Sequence, residues 1–128
     1  MNEAKRILVI EDDVVLRDLL GDWLLAAGYR VAAARDGSAG IEDARAHRPA
    51  LVVTDIHMPG TGGAAVIAEV TRIYPGLPVI AISGQFRSGH GLAPEQAMAL
   101  GAARAIAKPF KRGDIVGAVR ELAGPPSA

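Results

Sequence analysis

Asp55 ends an unbroken apolar run, Leu51 to Thr54, and is followed by Ile56, His57 and a Met58-Pro59-Gly60 turn. A short Leu/Val run bounded by prolines reads as a buried strand, which sets Asp55 at its carboxyl end. In an open parallel sheet that edge is where ligands bind. On this run alone, Asp55 could equally serve only to open the next turn, a role Asp often fills. Other runs end in the same way. Glu11, Asp12 and Asp13 follow Arg6–Ile10, Ser83 follows Leu77–Ile82, and Lys108 follows Ala103–Ala107. Parallel strands would deliver all of these to one rim. Crowded carboxylates repel, which raises at least one pKa unless a cation neutralises them. A hard divalent ion such as Mg²⁺ suits that position, because it takes oxygen ligands from one or two carboxylates and from phosphate. Lys108 and Ser83 add what a phosphoryl group calls for, a positive charge and a hydroxyl donor.

The rest of the chain supplies elements able to hold these residues. After Glu11-Asp12-Asp13, Leu16, Leu19, Leu20, Trp23, Leu24 and Ala27 recur at helical spacing. Asp13 is placed to cap that helix and Gly28 to end it. Residues 29–34 read as a weaker edge strand, and Asp36-Gly37-Ser38 opens a polar helix to about His47. A helix from about Gly63 to Tyr74 turns Val66, Ile67, Val70 and Ile73 inward. Residues 85–93 read as an exposed loop, and a short helix follows from Pro94 to Leu100. The last helix, from about Arg112 to Leu122, carries Ile115, Val119 and Leu122 on one face, and Gly124 to Ala128 is expected to fray. Five strands alternating with five helices, with crossovers of βαβ length, predict an α/β domain with helices on both faces of a parallel sheet.

Composition narrows the function classes. The 128 residues suit one domain, and half of them are hydrophobic with few aromatics, as for helices packed on a sheet. No stretch is apolar for long enough to span a membrane, and the start has no signal-peptide pattern, so a cytoplasmic location is expected. Cysteine is absent, which removes disulfides and thiolate metal sites. Fourteen acidic and fourteen basic residues cancel, leaving no electrostatic footprint for nucleic acid or a membrane surface. Function must come from a local site.

The acid pair, Asp55 before its Met58-Pro59-Gly60 turn, Ser83, and Lys108-Pro109-Phe110, in that order, resemble the receiver domain of two-component response regulators, including the single-domain chemotaxis type. The resemblance covers residues 5–123. It implies a flavodoxin-like three-layer sandwich with a five-stranded parallel sheet of order 2-1-3-4-5. It implies that Asp55 takes a phosphoryl group from a sensor histidine kinase or a histidine phosphotransfer protein. Mg²⁺ would sit on Glu11, Asp12, Asp55 and the backbone carbonyl of His57. Lys108 would pair with the phosphoryl oxygens, Ser83 would bond one of them, and Lys108-Pro109 would be cis. In such receivers the second acid stands five residues before an Arg in the first helix, and Arg17 selects Asp12. The choice of Asp12 with Asp13 is the alternative.

The expectation is a single receiver domain over 1–128 with no effector domain. Its output would be phosphorylation-dependent binding of a downstream protein or of a second copy. Two other readings compete. One is a receiver that no longer takes phosphate and binds proteins constitutively. The other is a haloacid-dehalogenase-like phosphatase, which would need a second Asp where His57 stands. Ala105 also departs from the family, which usually has Tyr or Phe three residues before the Lys, and an alanine has no rotamer to switch. The loop after Ser83, with Gly84, Gly89 and Gly91, is expected to carry the conformational response instead. His57 could position or exclude the attacking water, or could simply face solvent. His47 and His90 lack metal-ligand spacing.

Overall fold

In the computed structural model, which describes residues 3–84 and 93–127, strands and helices alternate along the chain. The order is β1 (Arg6–Ile10), α1 (Val14–Ala26), β2 (Arg30–Ala34), α2 (Gly37–Ala46), β3 (Leu51–Asp55), α3 (Gly63–Ile73), β4 (Val79–Ser83), α4 (Pro94–Ala99), β5 (Arg104–Ala107) and α5 (Arg112–Ala123). All four strand pairings are parallel, and the sheet order is β2-β1-β3-β4-β5, as expected.

The period-2 alternation of the strands sorts their side chains onto two faces. Leu8, Ile10, Val52, Val79 and Ala81 meet Ala44 of α2, Val66, Ile67 and Val70 of α3, and Ala97 of α4. Ile7, Val9, Leu51, Val53, Ile80 and Ile82 meet Leu20 and Leu24 of α1 and Ile115, Ala118 and Val119 of α5. β3 and β4 are buried along their whole length, and their polar residues stand only at the carboxyl ends, Thr54 and Asp55 in β3 and Ser83 in β4. Polar chemistry is confined to the rims.

Four details differ from the sequence reading. β4 starts at Val79 rather than Leu77, because Pro78 has no N–H for the ladder; its carbonyl accepts from Val52. Tyr29 precedes β2 and lies buried beneath it. Leu19 shares helical spacing with the core residues of α1 yet is 40% exposed. The tail does not fray where expected. Tyr29 Oη donates to the Gly124 carbonyl at 2.7 Å, Lys5 Nζ to that of Ala123 at 2.6 Å, and Lys5 N–H to that of Pro126 at 2.8 Å. Gly124, at φ 81°, makes the turn that brings the tail onto the base of β1 and β2. The response expected of the loop after Gly84, and His90 within it, lie outside the described residues.

Candidate functional site

Register does the gathering. Ile10 lies opposite Thr54 and Asp55 opposite Ile82, so Glu11, the next residue after β1, arrives beside Asp55. Ser83 lies opposite Ala107, and Lys108 follows with its N–H donating to the Ser83 carbonyl at 3.0 Å. Four strands therefore bring their polar ends to the carboxyl rim. One carboxylate oxygen each from Glu11, Asp12 and Asp55 lies within 4.8 Å of the others. Glu11 and Ser83 are fully buried and Asp55 nearly so, while Asp12 is exposed. Asp13 stands outside this cluster and caps α1, accepting from Val15 N at 2.9 Å and Leu16 N at 3.3 Å. The Lys108–Pro109 bond is cis.

Each buried carboxylate is held on two sides. Lys108 Nζ donates to Asp55 Oδ2 and, at 3.1 Å, to Glu11 Oε1. The remaining oxygens take backbone donors: Glu11 Oε2 accepts from Asp13 N at 3.1 Å and Asp55 Oδ1 from His57 N at 2.8 Å. Burial pushes the Glu11 carboxyl up to about 7. The Asp13 N–H pulls against that, and the charge of Asp55 adds to it. Burial also works against the Lys108 charge, but hydrogen bonds and attraction from Asp55 and Glu11 outweigh it and hold the ammonium above its ordinary range.

One ammonium shared between two buried carboxylates, with Asp12 alongside, leaves the pocket short of positive charge. The donor set is all oxygen and open to solvent on the Asp12 side, which fits a hard divalent ion that keeps some of its waters. His57 is half-buried rather than solvent-facing. Its ring is not part of the carboxylate cluster, and Nε2 is enclosed with no hydrogen-bond partner among the described residues.

Two contributors escaped the sequence reading. Thr54 Oγ1, buried, donates to the Asp55 carbonyl at 3.0 Å, and Arg17 Nη1 donates to the Glu11 carbonyl at 2.9 Å. Both steady the backbone that carries an acid. The one hydroxyl in the apolar run before Asp55 was a signal for Thr54. Arg17 was noticed only as a counting mark, since no sequence pattern shows its reach to the previous strand end.

The family model for the response regulator receiver domain matches residues 7–120. The chain belongs to the response regulator receiver family. It is 32% identical over 120 residues to the chemotaxis protein CheY of Thermotoga maritima, covering 93% of this chain and 98% of that protein. It is also 32% identical over 108 residues to the response regulator FleR of Pseudomonas aeruginosa, covering 84% of this chain but 22% of that longer protein. The crystal structure of the NtrX receiver domain from Brucella abortus superposes with a TM-score of 0.82 at 30% identity, covering 91% of this chain and 97% of that one. The receiver fold and its membership of two-component signalling thus hold for this chain, and receivers of this family accept phosphate from kinases and signal to downstream targets.

Proposed function

We propose that this chain is a receiver that accepts a phosphoryl group on Asp55 from a histidine kinase or phosphotransfer protein and signals by phosphorylation-dependent protein binding. The observation that carries the reading is the convergence of Asp55, Glu11, Asp12 and Lys108 at one strand rim, with Asp55 nearly buried and hydrogen-bonded to Lys108. Asp55 Oδ2 attacks phosphorus, and the bond from phosphorus to the donor nitrogen breaks with its electron pair staying on the donor imidazole. An acyl phosphate forms. Glu11, Asp12, Asp55 and the His57 carbonyl would hold Mg²⁺. When bound, that ion supplies positive charge opposite the phosphoryl oxygens.

Lys108 then exchanges part of its bonding to Asp55 for a phosphoryl oxygen, and Ser83 supplies the hydroxyl at the end of β4. The chain acts as the catalyst of its own loading and unloading rather than as an enzyme on other substrates. No helix among the described residues is long and apolar enough to cross a membrane, which is compatible with the cytoplasmic location we assign. Ala105, half-buried on β5, supports the second reading of a constitutive protein-binding receiver, because no ring is available there to report the state of the site.

Incubation with acetyl phosphate and Mg²⁺ tests the reading. The intact protein should gain the mass of one phosphoryl group, and the gain should vanish in Asp55→Ala. A folded wild-type chain that never gains mass would favour the constitutive binder. Turnover of phosphate esters retained in Asp55→Ala would contradict both.

A further inference from the structure

Six large apolar side chains stand well exposed among the described residues, and four of them lie on α1: Val14, Val15, Leu19 and Leu25. With the exposed Asp18 and Asp22 they recur at three- and four-residue spacing, so one outward stripe of the helix carries them all. Neither acid has an ion-pair partner among the described residues, and one turn apart they repel each other. Arg17, the one cation of the helix, is already committed to the Glu11 carbonyl.

Beside α1, on the same face of the sheet, α5 shows the reverse. Its outward side forms a hollow of about 400 Å³ lined by Arg112, Gly113, Val116, Gly117 and Arg120. The acids of α5 are taken: Asp114 accepts from the Lys111 N–H at 2.8 Å and Glu121 from Arg104 at 2.7 Å. Arg112 and Arg120 are exposed and have no ion-pair partner among the described residues. A Cβ on Gly113 or Gly117 would meet nothing within 4 Å, so packing inside the chain requires neither glycine, and their lack of side chains keeps the hollow open. An apolar ridge with unpaired acids thus lies next to a hollow with unpaired arginines. The two complement each other but cannot meet within one chain, because both face outward.

We infer that two copies of this chain pair about a two-fold axis, α1 of each seated on α5 of the other, with Asp18 and Asp22 facing Arg112 and Arg120. A second copy is the occupant that supplies both halves at once, and the symmetry makes the contact twice. Pairing takes the apolar ridge out of water and gives the acids their cations. Fourteen acidic and fourteen basic residues leave no net charge to oppose it. The inference goes beyond the phosphoacceptor reading and does not depend on it. Pairing covers α1, so a second copy and any other partner of that helix exclude each other.

Sedimentation equilibrium of the unphosphorylated protein without Mg²⁺ tests this. The average mass should rise from one chain to two with concentration, and added salt should move the midpoint severalfold higher. Asp18→Arg with Asp22→Arg should weaken pairing about tenfold or more, and so should Arg112→Glu with Arg120→Glu, since each sets like charges against one another. An equimolar mixture of the two variants should pair nearly as tightly as the wild type, because both contacts between unlike copies again join opposite charges. A wild type that stays a single chain up to millimolar concentration overturns the inference, as does a dimer that salt leaves untouched. Variants that pair like the wild type, or a mixture that fails to recover, overturn it too. These readings hold whether or not Asp55 takes phosphate from acetyl phosphate, so the two proposals fail separately.

Discussion

Among the described residues, Lys108 is the only ammonium shared by Glu11 and Asp55, and that shortage of positive charge should make the pocket responsive to a cation. Adding Mg²⁺ at ten to a hundred times its dissociation constant should raise stability by about 1.4–2.7 kcal/mol, a thermal shift of several degrees for a domain of this size. Asp12→Asn removes an exposed carboxylate proposed as a ligand without disturbing the buried pair, so melting without the ion should hardly change while most of the Mg²⁺-induced shift disappears. An unchanged shift in that variant would remove Asp12 from the site. A second carboxylate behaves in the opposite sense to Glu11. Hydrogen bonds from Arg72 and then Arg45 hold the surface Glu69 down at about 2, against an ordinary 4.5. A depressed folded-state pKa contributes stability that is present above about 4.5 and lost as pH falls toward about 2. Thermal melts of Glu69→Gln should therefore show a shallower acid-side decline across that window, and the difference should shrink in high salt. Asp55, Ser83 and Lys108 were legible in the sequence because each ends an apolar run, and strand ends reach one rim whatever the details of packing. The His57 ring was not, because its burial depends on how the following turn closes against α3.

At the scale of elements, α2 shows how closely helix and sheet approach. A Cβ on Gly40 would meet Ile10 Cδ1 at 2.3 Å and Cγ1 at 2.6 Å, and Ile10 is fully enclosed, so it has nowhere to retreat. Alanine in place of glycine inside a helix ordinarily gains up to about 1 kcal/mol from propensity, but overpacking a closed core costs about 1–3 kcal/mol. Gly40→Ala should lower stability in denaturant titration, and a gain would mean that β1 and α2 can part more easily than the contacts show. The tail offers a milder test. Tyr29→Phe removes only the hydroxyl that donates to the Gly124 carbonyl, and a loss of about 0.5–1.5 kcal/mol is expected. Element type and order followed from periodicity alone, since apolar runs of five and helical stripes of ten or more are hard to confuse. Ends were less legible. Pro78 trims β4 by removing a donor, and the tail docks through Lys5 and Tyr29, partners about a hundred residues away in sequence that no local pattern connects.

For the whole molecule, the question is how a partner reaches the rim and how the result leaves it. Beside the site, α1 and the segment after β5 leave a cleft of about 310 Å³ lined by Val15, Leu16, Leu19, Trp23, Pro109 and Phe110, with Asp13 and Lys108 also on its wall. Trp23 and Phe110 meet edge to face at 6.3 Å to form its floor, while Val15 is 74% exposed and Leu19 40%. Apolar side chains left this open next to a charged pocket suit docking of a protein donor beside Asp55. A small donor such as acetyl phosphate needs no such surface. Val15→Glu discriminates between them, because the position is exposed, lies in the first turn of α1 where an acid is favourable, and touches none of the proposed ligands. Transfer from a phosphorylated histidine phosphotransfer protein able to load the wild type should slow by about tenfold or more, while the rate with acetyl phosphate and the melting temperature stay near those of the wild type. Equal slowing with both donors would mean that the substitution had damaged the pocket rather than the approach to it, and no slowing with either would move the donor's footprint away from α1.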